Sequence, residues 1–159
     1  MINHYYFMNK MSWLQKYIDV YGDITLNELK DKIYYIDIYT DGATQYNGER
    51  KSGIGVYFGE HDVRNISKQV NTKDNNECEI IACIEALKVC QHPFVNIYTD
   101  SRLIVDKMNG ICRTDKCKKY FDELLSISER FLDVQYIYVK GHANIDGNEK
   151  ADALSRACL

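Results

Sequence analysis

The chain has 159 residues, of which 45% are hydrophobic and 27% are charged, and its formal net charge is −3. These values are typical of one globular domain, and no segment approaches the run of about 18 apolar residues that would cross a bilayer, so we expect no membrane contact. Taken alone, the negative charge argues against a nucleic-acid partner. Because the N-terminus lacks a basic segment followed by an apolar one, we expect an intracellular protein of the cytoplasm or nucleus, of cellular or viral origin.

The six cysteines form no CxxC pair and no Cys/His spacing typical of a zinc site. Irregular spacing in an intracellular chain favours reduced thiols over a disulfide framework. We therefore expect free thiols at Cys78, Cys83, Cys90, Cys112, Cys117 and Cys158.

The N-terminal extension, residues 1–32, has the pattern of helices rather than strands. Capping-box spacing that starts at Ser12 and at Thr25 predicts two short helices, and an apolar stripe on the first of them ends at Gly22. Such a stripe needs a partner, so we expect the extension to contact the following domain, the substrate or another chain. The helices are expected over residues 12–21 and 26–32, and the stripe consists of Trp13, Leu14, Tyr17, Ile18 and Tyr21.

The remainder, residues 33–159, predicts one α/β domain with a five-stranded mixed sheet flanked by helices. Runs of β-branched and aromatic residues predict strands, and apolar periodicity near 3.6 predicts helices. The predicted order is βββαβααβα, and the short loops between the first three strands imply antiparallel hairpins. Strands are expected at 33–39, 53–58, 63–70, 94–99 and 134–139, and helices at 75–90, 101–109, 115–131 and 147–158.

Acidic residues stand at the ends of two predicted strands. Asp41 follows the first strand, and Asp100 follows the fourth. A right-handed βαβ connection makes these strands parallel neighbours, so the two carboxylates should meet at their carboxyl ends. Glu79, in the first turns of the connecting helix, and Asp152, on the last helix, are expected to reach the same place.

Four carboxylates at close quarters repel each other unless cations lie between them. Ligands that are all oxygen favour Mg²⁺ or Mn²⁺ over zinc. His142 lies between Gly141 and Ala143, and an imidazole on such a loop suits a mobile proton carrier. Each residue alone also fits an ordinary role as a turn former, a helix-dipole partner or a solvated side chain. Their combination in this topology indicates a metal-dependent site.

Four segments resemble type 1 ribonuclease H, in the family's order and on the expected elements. The resemblance covers roughly residues 33–158, and its last segment is the most specific. The segments are YTDGA at 39–43, NNECEIIACIEAL at 75–87, YTDS at 98–101 and VKGHANIDGNEKADALSRA at 139–157.

The resemblance implies a ribonuclease H-like fold and a two-metal nuclease that cuts the RNA strand of an RNA/DNA hybrid. It implies two Mg²⁺ ions, for which Mn²⁺ can substitute, with Asp41, Glu79, Asp100 and Asp152 as metal ligands and His142 as the mobile histidine. It further implies contacts with the nucleic-acid backbone near the cut. These contacts would come from Gly42, Asn75, Asn76 and Ser101.

The chain departs from the family's pattern where the substrate is gripped. Asp74 and Glu77 stand where many members have a threonine and an arginine that hold a DNA phosphate, and Ile111 replaces an aromatic platform. The interval between Asp100 and His142 is too short for the basic protrusion of many members. A basic stretch offers another way to follow a phosphate backbone. It comprises Lys107, Arg113, Lys116, Lys118 and Lys119.

Two other functions remain open on this reading. A DNA-directed nuclease of the same fold, such as a Holliday-junction resolvase or an integrase-like enzyme, would use similar acids. A non-catalytic nucleic-acid-binding module of a larger assembly would keep the fold and lose them, whereas this chain has all four. We expect an active, monomeric ribonuclease H.

Overall fold

The computed structural model describes residues 33–159 and, before them, residues 15, 17–19 and 22. The predicted α/β fold and the order βββαβααβα are confirmed. In the described part of the chain, no helix is long and apolar enough to cross a membrane. The strands are β1 Ile36–Asn47, β2 Glu49–Tyr57, β3 Ile66–Val70, β4 Phe94–Thr99 and β5 Asp133–Tyr138, and the helices are α1 Asn75–Val89, α2 Arg102–Met108, α3 Lys118–Ser128 and α4 Asp146–Ala157.

The five strands form one mixed sheet in the order β3-β2-β1-β4-β5. β2 pairs antiparallel with both β1 and β3, whereas β4 pairs parallel with both β1 and β5. The helix α1 therefore makes the crossover between two parallel neighbours, as the βαβ rule requires. This topology brings the end of β4 beside the middle of β1.

Alternation along β1 divides its side chains between two layers. Ile38 and Thr40 face the core under α1, where the Thr40 hydroxyl lies 3.3 Å from Cys83 Sγ. Tyr39 and Asp41 face α4 on the other side of the sheet. The core between the sheet and the first three helices contains fully buried side chains, among them Ile80, Ile84, Leu87, Ile97, Ile104, Phe121 and Leu124.

The first hairpin differs from the sequence-based prediction, because residues 44–52 are strand and not loop. Parallel pairing of β1 with β4 ends at Tyr39↔Tyr98, but antiparallel pairing with β2 continues to Asn47↔Glu49. Gly48, with a φ of 77°, makes the tight turn between them. The tip of this hairpin is exposed at Gln45, Tyr46, Glu49, Arg50 and Lys51, so the sequence there lacks the apolar alternation that marks a half-buried strand.

Other boundaries also differ from the prediction, since β1 begins at Ile36 and not at residue 33, and α3 ends at Ser128 and not at residue 131. β3 begins at Ile66 and not at residue 63, because Asp62, Arg64 and Asn65 form a turn held by their own hydrogen bonds. α3 begins at Lys118, because the preceding Cys117 has a left-handed φ of 54° that a helix does not continue through. All six cysteines are free, as predicted.

Among the described residues of the extension, Tyr17 lies against the domain. Residues 15 and 17–19 are helical, and the Gly22 N–H donates to the Ile18 carbonyl at 2.8 Å. The Tyr17 ring is 6% exposed and stacks on Phe94 at a centroid distance of 6.4 Å. The rest of the two predicted helices falls outside the described residues.

Candidate active site

Asp41 lies at the centre of the candidate site. It follows the last parallel pair of β1 and β4 by two residues, and only 8% of its surface is exposed. Its carboxylate accepts hydrogen bonds from the Ser155 hydroxyl, at 3.0 Å, and from the Gly42 N–H. Burial and the nearby charges of Asp100 and Asp152 nevertheless raise the pKa of Asp41 to about 7. The site therefore holds more negative charge than its own hydrogen bonds stabilise.

Glu79 and Asp100 form the side of the site next to α1. The Glu79 carboxylate accepts hydrogen bonds from Asn75 Nδ2, at 2.8 Å, and from the Ser101 side chain. Burial raises the pKa of Glu79, and the charge of Asp100 adds to that effect. Burial also raises the pKa of Asp100, which directly follows β4. The charge of Asp100 is thus felt by Glu79 across the gap between β4 and α1.

Asp152 enters the site from α4. Its carboxylate is bound by Arg156 Nε at 2.8 Å, one helical turn further on. Between them in sequence, Ser155 Oγ lies 2.8 Å from the Asp152 carbonyl oxygen and 3.0 Å from Asp41 Oδ2. Ser155 therefore links the strand that carries one acid to the helix that carries another.

Glycines allow the helices to approach the sheet at this point. A Cβ on Gly55 of β2 would lie 2.0 Å from the carbonyl oxygen of Ala151, and one on Gly42 would lie 2.5 Å from the backbone nitrogen of Glu79. Ordinary contact for such atoms begins near 3.4 Å. Backbone therefore packs directly on backbone, and this contact sets the separation of the acids on β1, α1 and α4.

The loop before α4 carries His142 beside Asp100. His142 is exposed and has a left-handed φ of 52°, and Asn144 has a similar φ of 58°. The positive form of His142 lowers the pKa of Asp100, against the larger effect of burial. Gly141 lies so close that a Cβ on it would be 2.6 Å from Asp100 Oδ2. The imidazole is thus near the acids and open to solvent.

The residues expected to touch a substrate differ in how accessible they are. Asn75 is exposed, whereas Ser101 is buried at 7% exposure and bonded to Glu79. Gly42 is buried beneath α1. Asn76 Nδ2 donates to the Asp74 carboxylate at 2.9 Å, so that side chain is already occupied.

The two unusual acids near α1 have structural partners. Asp74 caps the helix, since its carboxylate accepts the Asn76 N–H at 2.8 Å. Glu77 accepts a hydrogen bond from the Thr72 hydroxyl. Asp74 also lies near Lys116, whose charge helps Asn76 to lower the pKa of that carboxyl. Ile111, in the place of the family's aromatic platform, is 72% exposed.

Ser155 and Arg156 are site residues that the sequence reasoning missed. Both contact Asp152, and positions three and four residues apart on a helix are neighbours, so the spacing was a usable signal. In the described part of the chain, no group of three or more His, Cys, Asp or Glu side chains converges tightly enough to enclose a metal ion. The four acids share one neighbourhood and one type of donor, the carboxylate oxygen, which suits a hard cation.

Comparison with known proteins identifies relatives of the chain. The model of the RNase H family matches residues 34–159. Ribonuclease H of Cyanothece sp. is 36% identical over 135 residues, which cover 76% of this chain and 86% of that protein. Human Ribonuclease H1 is 30% identical over 141 residues, which cover 77% of this chain and 49% of that protein.

A solved structure shares the fold. The crystal structure of LC11-RNase H1 in complex with RNA/DNA hybrid aligns with a TM-score of 0.62 and 24% identity, over 77% of this chain and 95% of that one. The family match extends over most of the sequence, and the Cyanothece relative is similar across most of its own length. On these grounds, the chain belongs to the RNase H family.

Proposed function

We propose that the protein is an endoribonuclease that hydrolyses the RNA strand of RNA/DNA hybrids. Membership of the RNase H family supports this activity, and the family generally depends on divalent metal ions. We further propose that the four acids would hold two Mg²⁺ ions and that Mn²⁺ could replace Mg²⁺. The acids are Asp41, Glu79, Asp100 and Asp152.

The observation that carries the proposal is the buried carboxylate of Asp41. Its pKa is raised to about 7 because it is desolvated beside Asp100 and Asp152, and the hydrogen bonds from Ser155 and from the Gly42 N–H oppose this effect. A divalent cation among these groups would remove the repulsion. Bound there, Mg²⁺ would supply positive charge for activating a water and for stabilising the leaving oxygen of an in-line displacement at phosphorus.

The chain's own residues hold the acids in place for this chemistry. Ser155 and the Gly42 N–H orient Asp41, while Asn75 and Ser101 orient Glu79. Such partners keep carboxylates in a fixed geometry, which is necessary for a preorganised site. We assign to His142, which is exposed on its loop beside Asp100, the transfer of a proton between solvent and the reacting phosphate.

Recognition of RNA requires a group that senses the 2′-hydroxyl. Asn75 is the candidate that we favour, because its amide nitrogen binds Glu79 and its carbonyl oxygen is left to accept a hydrogen bond. The Ser101 side chain also forms a hydrogen bond with the Glu79 carboxylate. We assign smaller roles to Gly42, which is buried, and to Asn76, whose side chain binds Asp74.

We also infer that the N-terminal extension packs on the domain and assists substrate binding. Tyr17 supports this inference, because its ring is 6% exposed and lies against Phe94, with Ile33, Tyr35 and Leu132 around it. Burial of apolar surface stabilises such a contact by about 25 cal/mol per Å².

The test is cleavage of an end-labelled RNA/DNA hybrid with Mg²⁺, with Mn²⁺ and with EDTA. Duplex RNA, duplex DNA and a four-way DNA junction serve as competing substrates. Asp41→Asn should abolish cleavage, whereas Asp37→Asn is the matched control, since it removes the same charge from an exposed position of β1. Cleavage of the junction in preference to the hybrid would favour a DNA-directed nuclease. Hybrid binding without any cleavage would favour a non-catalytic module.

A further inference from the structure

A basic cleft lies at the far end of the first hairpin from the acids. The tip of the β1–β2 hairpin and the connection from β3 to α1 border it, and its volume is about 440 Å³. Arg50, Lys51 and Lys73 line it, together with one acid, Glu49. Three positive charges less one negative give a local charge of +2, on a chain whose net charge is −3. Such a local concentration of charge, rather than the total, attracts an anion.

The cations of the cleft have no carboxylate partner in the part of the chain that the structure describes. Some other lysines have such a partner, since Lys88 binds Glu85 at 2.9 Å and Lys118 binds Asp122 at 2.5 Å. Arg50, Lys51 and Lys73 are exposed and form no ion pair with any described residue. Like charges that converge without a counter-ion repel each other, and an anion bound between them would relieve that repulsion.

The basic stretch expected from the sequence is less available for a substrate. Lys107 Nζ donates to the Thr114 carbonyl at 2.8 Å, and Lys118 is paired with Asp122. Lys116 lies near Asp74, whose charge it partly offsets. Exposed lysines that are already engaged contribute less to phosphate binding, so the free cations of the cleft become the stronger candidates.

The position of the cleft suits a ligand that also reaches the acids. Gly55 of β2 pairs with Asp41, and Lys51 lies four residues before it on the same strand. At about 3.4 Å per residue, the two levels are about 14 Å apart. This span equals a few nucleotides at the axial spacing of about 3.4 Å along one strand of a duplex. One nucleic acid could therefore contact both places.

We propose that this cleft binds a phosphodiester of the substrate backbone, a few nucleotides from the cut. The proposal rests on the proposed function, because it takes the ligand of the cleft to be the same nucleic acid that the acids cleave. At the start of α1, the negative charges of Asp74 and Glu77 would repel a phosphate. The cleft would instead provide a positively charged contact for the substrate backbone. Such a contact would depend on the charge and spacing of the phosphates and would not distinguish base sequences.

The test measures binding apart from cleavage. Fluorescence anisotropy with a labelled hybrid is recorded in EDTA, over a series of salt concentrations, for the full chain and for Lys51→Gln and Lys73→Gln. Arg130→Gln is the matched control, because it removes one exposed positive charge at the end of α3, outside the cleft. Each cleft variant should raise Kd about tenfold at low salt and lower the slope of log K against log salt by about one. The melting temperatures should not change, since these side chains are exposed.

Cleft variants that bind hybrid as tightly as Arg130→Gln, with an unchanged salt slope, would overturn the proposal and leave the cleavage activity untouched. An equal loss of affinity for duplex DNA would support it, because both duplexes present phosphates. A wild-type chain that does not cleave hybrid would overturn the proposed function instead. In that case, the affinities of the cleft variants and of Arg130→Gln for duplex DNA would still test whether the cleft binds phosphate.

Discussion

Replacing Asp41 by asparagine should stabilise the metal-free protein while it abolishes cleavage. The pKa of Asp41 is raised from 3.8 to about 7, and each of these roughly three pKa units corresponds to about 1.4 kcal/mol. Because Asp41 is only 8% exposed, the ionised group destabilises the fold by up to about 4 kcal/mol above pH 7. Asparagine has no charge to bury, and its carbonyl oxygen can still accept from Ser155.

The two pKa values of Asp41, in the folded and the unfolded chain, determine how the stability of the wild type changes with pH. The unfolded chain loses this proton near pH 4 and the folded chain near pH 7, so between these values the folded state binds more protons. The stability of the wild type therefore falls as pH rises through this window. The advantage of Asp41→Asn should be about 2–4 kcal/mol at pH 8 and about 1.5 kcal/mol at pH 5.

The assay is thermal unfolding followed by circular dichroism in EDTA at pH 5 and pH 8. At about 2–4 °C per kcal/mol for a chain of this size, Tm should rise by about 5–15 °C at pH 8. Adding Mg²⁺ should raise the Tm of the wild type and not that of the variant. Asp37→Asn should change little. A lower Tm for Asp41→Asn at pH 8, or a larger gain at pH 5 than at pH 8, would refute the reasoning.

Three further predictions concern His142, Arg156 and the N-terminal extension. His142→Ala should slow single-turnover cleavage by about 10²–10⁴-fold, and a loss as complete as that of Asp41→Asn would make the histidine a ligand. Arg156→Gln removes the cation from Asp152, so calorimetry should detect tighter binding of Mg²⁺, and the metal-free protein should melt at a lower temperature; unchanged affinity would contradict this. Deletion of residues 1–32 should raise KM for hybrid more than it lowers kcat and should lower Tm, whereas an equally stable and equally active truncation would show that the extension serves another partner.

The sequence predicted the buried elements well and the exposed ones poorly. The strand at Phe94–Thr99 was predicted to the residue, because its apolar side chains face the core. The hairpin beyond Asp41 was predicted as a loop, because its exposed polar residues carry no burial signal. Its pairing depends on a single turn at Gly48. The prediction that a helix starts at Asp115 was wrong for a similar reason. The left-handed backbone of Cys117 has no marker in the sequence.

The candidate site was partly predictable for a different reason. The βαβ topology brings the end of β4 to β1, so the proximity of Asp41 and Asp100 follows from the order of elements. The connecting helix and the last helix led us to expect Glu79 and Asp152 at the same place, whereas their role as metal ligands was implied by resemblance to a family. The i,i+4 spacing of Asp152 and Arg156 on one helix is a signal of their pairing that the sequence reasoning did not use. That Lys51 has no ion-pair partner among the described residues depends on which side chains meet in three dimensions, and periodicity does not encode that. The catalytic roles of these residues remain predictions.

The close contact of Gly55 with Ala151 makes the spacing of the acids adjustable by a single methyl group. A Cβ at Gly55 would lie 2.0 Å from the Ala151 carbonyl oxygen, so Gly55→Ala would act as a wedge that lifts α4 from β2. Asp152 would move with the helix, and a displacement of about 1 Å can cost about 100-fold in rate. Such a chain would keep every carboxylate and every cation of the cleft. It would be a way to obtain a hybrid-binding protein that cuts about 100-fold more slowly, without altering any residue proposed to touch the nucleic acid.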